Sequence, residues 1–135
     1  MLDIKPDPYA ALCPSRQIIA VIGDKWSLLI IPLLLDGPMR NAELMRAIEG
    51  ISQKMLTQTL KRLEDYNLVT RRDYGEVPPR VDYRLSPLGH SLAAVISSLD
   101  NWVIENFDEV EAFIDYFKRT GIMPNLGVRI KLSTR

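Results

Sequence analysis

Few side chains in this sequence could make or break bonds, and many could recognise a surface. There is one cysteine, Cys13, and one histidine, His90. A zinc site usually needs four thiolate or imidazole ligands, so the sequence predicts no metal and no cofactor. No Gly-rich phosphate loop and no spaced nucleophile–base pair stands out, which argues against an enzyme. Donor-rich side chains are concentrated instead in ISQKMLTQTLKRLED, from Ile51 to Asp65. Read as a helix, this stretch puts Leu56, Leu60 and Leu63 on one apolar stripe. Gln53, Lys54, Thr57, Gln58 and Lys61 fall away from the stripe, with Arg62 at its edge. Glutamine can bond bidentately to adenine, and lysine can reach guanine acceptors. Ser52, Gln53, Lys54, Thr57 and Gln58, near the helix start, are therefore candidates to read base edges in the major groove of double-stranded DNA. A solvated amphipathic helix with no ligand would share the periodicity, so the neighbouring elements decide.

Those neighbours predict a helix held out for contact. Ser52 is a good N-cap, and Ile51 with Leu56 forms a hydrophobic staple across it. Upstream, a short helix from about Asn41 to Ile48 turns through Glu49-Gly50 into residues 52–65. Two helices joined by a tight glycine turn make a helix-turn-helix. Before them, Asp24 caps a helix from Lys25 to about Leu35. It is apolar nearly all round and hence buried on more than one side. Pro32 should distort it, and Asp36-Gly37-Pro38 ends it. After Asn67 the period changes to two. Leu68 to Tyr74 and Val81 to Leu85 read as strands, with Gly75, Pro78 and Pro79 in the loop between them. Val81, Tyr83 and Leu85 face one way, and Asp82 and Arg84 the other. The predicted fold is mainly α (α+β): a winged helix-turn-helix with a two-stranded wing over 69–85. Lys61, Arg62, Arg71, Arg72 and Arg80 are expected to pair with phosphates, and Arg40 joins this DNA-binding set.

Ser86-Pro87 opens a long helix. Leu88, Leu92, Val95, Ile96, Leu99, Trp102 and Val103 give it a coiled-coil-like seam too long for so small a core to cover, which predicts a homodimer. Asp108 and Glu111 suggest a new helix after Asn106. The expected divisions are an extended N-terminal arm over 1–12, a main domain over 13–106, and an acidic helical extension with an irregular tail over 107–135.

The chain has 135 residues, 47% hydrophobic and 25% charged, with seventeen basic and seventeen acidic side chains. Zero net charge argues against a general polyanion binder but leaves room for patches. From Arg40 to Arg72 there are seven basic and four acidic residues, whereas Asp100 to Asp115 carries six acids and no base. A lone cysteine, an acidic proline-containing N-terminus, and no apolar run near the ~20 residues that span a bilayer predict a cytoplasmic protein with no membrane partner. Cys13 precedes Pro14, which suits the first helical position, so Cys13 is the expected N-cap. The helix dipole and Arg16, one turn on, would favour its thiolate. A buried structural cysteine is the alternative. His90 is expected to be a partly exposed helix residue. Trp26, Trp102 and Tyr83 could line an effector pocket, but aromatics on apolar stripes are more often core.

Four segments together carry a family likeness: CPSRQIIAVIGDKWSLLII, the DGPMR turn, AELMRAIEGISQKMLTQTLKRLEDYNLV and EVPPRVDYRLSPLG. They resemble the HxlR-type transcription regulators, winged-helix proteins within the broader MarR-like set, over about residues 13–103. The resemblance implies a dimer that binds a near-palindromic operator as a repressor or activator. For Cys13 it implies a place where some such regulators sense oxidants or electrophiles, so a small-molecule or oxidant effector is expected. The sequence departs from the family pattern at Pro32, where a helix former is usual. Asn41-Ala42 replaces an aromatic and a small hydroxyl residue, and Gly75 replaces a common proline. The competing reading is a winged-helix protein-interaction module that does not bind DNA. It would require the faces bearing Lys54, Gln58 and Arg80 to be covered.

Overall fold

The computed structural model describes residues 5–121. Residues 8–12 are turns rather than the expected extended arm, because Ala10 donates to the Asp7 carbonyl and Cys13 to that of Ala10 (both 3.1 Å). Helix α1 (Pro14–Ile22) follows, with Pro14 in its first turn. Helix α2 (Lys25–Leu33) is capped by Asp24, whose carboxylate accepts from the Ser27 amide at 3.2 Å. It ends two residues earlier than the apolar pattern suggests. Pro32 has no N–H to donate to the preceding turn, and the chain tightens into a 3-10 turn over Leu34–Asp36.

Strand β1 (Met39–Arg40) leads into α3 (Asn41–Ala47). Asn41 does not cap α3; Arg40 does, its backbone N–H donating to the Glu43 carboxylate at 3.2 Å. Arg40 is already extended by its pairing with Asp82, which is the backbone geometry an N-cap needs. Helix α4 (Gln53–Asp65) follows, then β2 (Val69–Asp73) and β3 (Val81–Leu85). The sheet is antiparallel in the order β1-β3-β2, so the two-stranded wing gains a short third strand at its base. Two residues of strand carry no periodicity, and only the long-range partner Tyr83–Asp82 reveals them.

The chain packs as two units, one up to Ser97 and one from Ser98. In the first, Ile30, Ile31 and Leu34 meet Leu44 of α3, Leu56, Leu60 and Leu63 of α4, and Leu68, Val69 and Leu85 of the sheet. Each such side chain contributes roughly 1.5–3 kcal/mol relative to leaving it in water. Helix α5 (Pro87–Glu105) begins here and adds Ala93 and Ile96 to the same core. Its start is tightly fastened. The Ser86 amide donates to the Leu68 carbonyl (3.1 Å) and the Ser86 hydroxyl to that of Asn67 (2.6 Å). The same hydroxyl accepts from the Gly89 amide (2.9 Å). A Cβ on Gly89 would lie 2.1 Å from the Leu68 carbonyl oxygen, so only glycine fits.

The second unit contains the end of α5 and α6 (Phe107–Thr120), divided at Asn106 as the sequence suggests. Asp108 and Glu109 lie in the first turn of α6 and Lys118 and Arg119 in its last, which complements the helix dipole. Helix thus replaces the start of the expected irregular tail, and Gly121 closes α6 in the left-handed region (φ 66°). The remainder of that tail lies outside the described residues.

Candidate nucleic-acid interface

Helix α4 has one face in the core and one in water. Leu56, Leu60 and Leu63 are buried, as is Thr59, whose hydroxyl donates to the Met55 carbonyl at 2.7 Å. Ser52, Gln53, Lys54, Thr57, Gln58, Lys61 and Arg62 are all exposed. The Ser52 hydroxyl caps the helix by accepting from the Met55 amide at 3.1 Å, so its proton is still available to a ligand. Gln53 donates to the Thr57 hydroxyl at 3.0 Å, which fixes these two side chains side by side. Among the described residues, Lys54 and Gln58 form no ion pair or side-chain hydrogen bond. No described residue covers them. Lys61 is different: its ammonium lies 2.6 Å from Asp65, and that hydrogen bond raises its pKa further. Much of its charge is therefore already matched on its own helix, which weakens it as a phosphate contact.

The wing register sorts its arginines. Arg71 lies opposite Tyr83, and Arg72 opposite Asp82. Directly paired residues share a face and successive ones alternate. Arg71 thus shares a face with Tyr83 and the core-directed Val69 and Leu85. Arg72, Asp82 and Arg84 share the other face with Arg40, which pairs with Asp82 from β1. Arg71 and Arg72, both expected to pair with phosphates, therefore lie on opposite faces of the wing. Period two applied to TRRDY and RVDYR separates them, and it also places Tyr74 and Arg84 on the face of Arg72.

The face bearing Asp82 is not simply solvated. Asp82 is 5% exposed. The Tyr74 hydroxyl donates to one of its oxygens at 2.6 Å, and Arg84 lies 3.4 Å from the other. Burial pushes its pKa up, but the Tyr74 and Arg84 hydrogen bonds and the charges of Arg84 and Arg72 outweigh this and hold it below the ordinary carboxylate value. The guanidiniums of Arg72 and Arg80 lie over the Tyr74 ring, 4.4 and 4.2 Å from its centroid. Arg80 also approaches Glu76 at 4.0 Å.

Cys13 is the N-cap of α1 and is half-buried. It lies 3.1 Å from the Ser15 hydroxyl and accepts from the Asp7 amide at 3.3 Å. The Ser15 hydroxyl is the main cause of a lowered thiol pKa and the Asp7 amide the next; Arg16, expected to do this, does not contribute.

On α5, Leu88 and Val95 are exposed and Leu92 packs partly against the core. Ile96 is 2% exposed, so it belongs to the protomer's own core and drops out of the expected dimer seam. Ile18, Ile22, Tyr66, Leu68, Leu88, Ser91, Leu92 and Val95 line an apolar groove of about 360 Å³. In the second unit Leu99, Trp102 and Val103 are exposed. Trp26 and Tyr83 pack against the core as expected, whereas Trp102, at 56%, does not. His90 is exposed. Among the described residues, no His, Cys, Asp or Glu cluster could hold a metal ion, and no single helix is long and apolar enough to cross a membrane.

Comparison with known proteins bears on what this arrangement does. The model of the HxlR-like helix-turn-helix family matches residues 21–111. YkvN of Bacillus subtilis (strain 168), an uncharacterized HTH-type transcriptional regulator, is 48% identical over 90 residues, covering 67% of this chain and 76% of its own. The solved structure of YtfH from Salmonella typhimurium superposes with a TM-score of 0.76 at 35% identity, over 82% of this chain and 99% of that one. The redox regulator HypR in its oxidized form superposes at 0.65 with 35% identity, over 70% and 97%. A buried-backed helix with an open donor face, a basic wing and this match over most of the chain lead to one conclusion: the protein belongs to the HxlR-like helix-turn-helix family of DNA-binding transcriptional regulators.

Proposed function

We propose that this regulator acts as a homodimer on a near-palindromic operator in the cytoplasm, with α4 in the major groove and the wing on the flanking backbone. The observation that carries this reading is the exposed face of α4. Ser52, Gln53, Lys54, Thr57 and Gln58 present donors and acceptors within its first two turns, opposite the buried Leu56, Leu60 and Leu63. The early turns of a recognition helix are the ones that reach base edges. Arg40, Arg72 and Arg80 on one sheet face, with Arg62 on α4, supply phosphate contacts. Arg71, on the opposite face, and Lys61, paired with Asp65, contribute less. Dimerisation is supported by the exposed Leu88, Val95, Leu99, Trp102 and Val103, since isolated helices do not leave so much apolar surface in water.

Selection from a randomised DNA library with the purified protein tests this. A paired motif with centres about 34 Å apart is expected, one turn of the duplex. Enrichment of no sequence would instead favour the protein-interaction module.

A second reading concerns Cys13. Its lowered thiol pKa and partial exposure suit a reactive thiolate, and a redox regulator is among the similar structures. Two Cys13 thiols from two protomers, or one Cys13 and a small thiol, would join as a disulfide. Two electrons and two protons would pass to an oxidant such as diamide. Operator binding should respond to diamide in the wild type and not in Cys13→Ser; an equal response in both rejects Cys13 as the sensor.

A further inference from the structure

We infer that Tyr74 is a positioning residue of the wing, its ring holding the Arg72 and Arg80 guanidiniums in place for DNA phosphates; this rests on the wing-to-backbone reading above. Tyr74 stands just past the end of β2, and its amide donates to the Arg80 carbonyl at 3.0 Å, so the two residues face each other across the hairpin. Its ring cannot swing freely, because its hydroxyl is bonded to the buried Asp82 at 2.6 Å and lies 3.4 Å from Arg84. Two cations rest over that fixed plate, Arg72 at 4.4 Å and Arg80 at 4.2 Å from the centroid.

Besides the ring, only weak charge interactions hold those cations among the described residues, Arg72 with Asp82 and Arg80 with Glu76. Among the described residues Arg72 forms no ion pair, Arg80 has only Glu76 at 4.0 Å, and the covered Arg80 Nε has no acceptor. Stacking engages the flat face of a guanidinium and leaves its in-plane N–H groups free to donate. An unstacked arginine must instead be ordered when DNA binds, at a cost in affinity. The ring also keeps two like charges close together before any phosphate arrives.

The test titrates labelled random-sequence duplex DNA at several salt concentrations. The proteins are wild type, Tyr74→Leu, Tyr74→Phe, the Arg72→Ala/Arg80→Ala double variant, and that double variant carrying Tyr74→Leu. The double variant should bind more weakly with a flatter salt slope. Tyr74→Leu should weaken binding roughly tenfold, Tyr74→Phe, which keeps the ring but loses its tether to Asp82, should weaken it less, and Tyr74→Leu should add nothing in the double variant. In NMR spectra of the free protein, the ring current should shift the Arg72 and Arg80 Cδ protons upfield in wild type and Tyr74→Phe. If the arginine variants weaken binding while Tyr74→Leu does not, the role of Tyr74 is overturned and the wing reading stands. If the arginine variants bind as wild type, both fall. Should Tyr74→Leu fail to fold, the wild-type spectrum decides: unshifted Cδ protons mean no stack in solution and overturn the proposal.

Discussion

Asp82 shows how much one residue's setting can differ from its place in the pattern. Alternation puts its side chain on the outer face of the wing, and the register agrees; yet the residue is buried beneath Tyr74 and Arg84 instead of being solvated. The alternation was legible because it is a property of any strand. The burial was not, because it depends on a tyrosine eight residues away folding back over the carboxylate. The same holds at Lys61, where the Asp65 partner one turn on was visible but its hold on the ammonium was not. Asp82 titrates below its unfolded value, so the charged form stabilises the fold. That contribution is complete above the unfolded pKa, near 3.8, and is lost as pH falls through the lower folded value. Thermal unfolding of wild type and Asp82→Asn should therefore differ most at neutral pH and converge in acid. A gap that widens on acidification would reverse the assigned sign. At the reading face of α4, Lys54→Ala and Gln58→Ala should each reduce discrimination between the selected operator and random DNA by about 1–3 kcal/mol. Unchanged discrimination in both variants would remove α4 as the reading helix.

At the scale of elements, the helices and the two long strands could be read from period and caps. Asn106 was readable as a break because acids follow it, and Ser86-Pro87 as a helix start because each residue suits its position. What could not be read was the close approach at Gly89. Nothing in the motif SPLG says that a methyl group there would meet the Leu68 carbonyl; that follows only when the start of α5 is laid against the residue that leads into β2. Gly89→Ala should cost about 1–3 kcal/mol, the usual penalty for overpacking, even though alanine is the better helix former. Urea denaturation measures this, and an unchanged or raised midpoint would mean that the backbone yields at no cost. Strand β1 escaped the sequence for a different reason, since its two residues become a strand only through pairing with β3.

For the whole molecule, the charge division and the apolar seam were the legible signals. The seam needed one amendment, Ile96, because a periodic stripe does not say which of its residues the protomer keeps for itself. Val95 is 64% exposed, so a charge there leaves the folded protomer largely unharmed. Val95→Glu is expected to shift the protein from dimer toward monomer in sedimentation while keeping its helical circular dichroism. Binding to a duplex with two half-sites should fall by roughly 10²-fold or more as the second contact ceases to be intramolecular. A dimer that survives this substitution with full affinity would move the interface elsewhere.

The fastening at Ser86 has a mechanical meaning. One residue separates the last position of β3 from the first of α5, and its hydrogen bonds to Leu68, Asn67, Gly89 and His90, with the tight seat of Gly89, leave no slack between them. The wing and the first turns of α5 therefore behave as a bent lever with a welded elbow. A five-residue strand reaches about 17 Å at ~3.3 Å per residue, so turning the whole lever by about 10° carries the wing tip about 3 Å. That is the length of a hydrogen bond, and it is enough to lift an arginine off a phosphate.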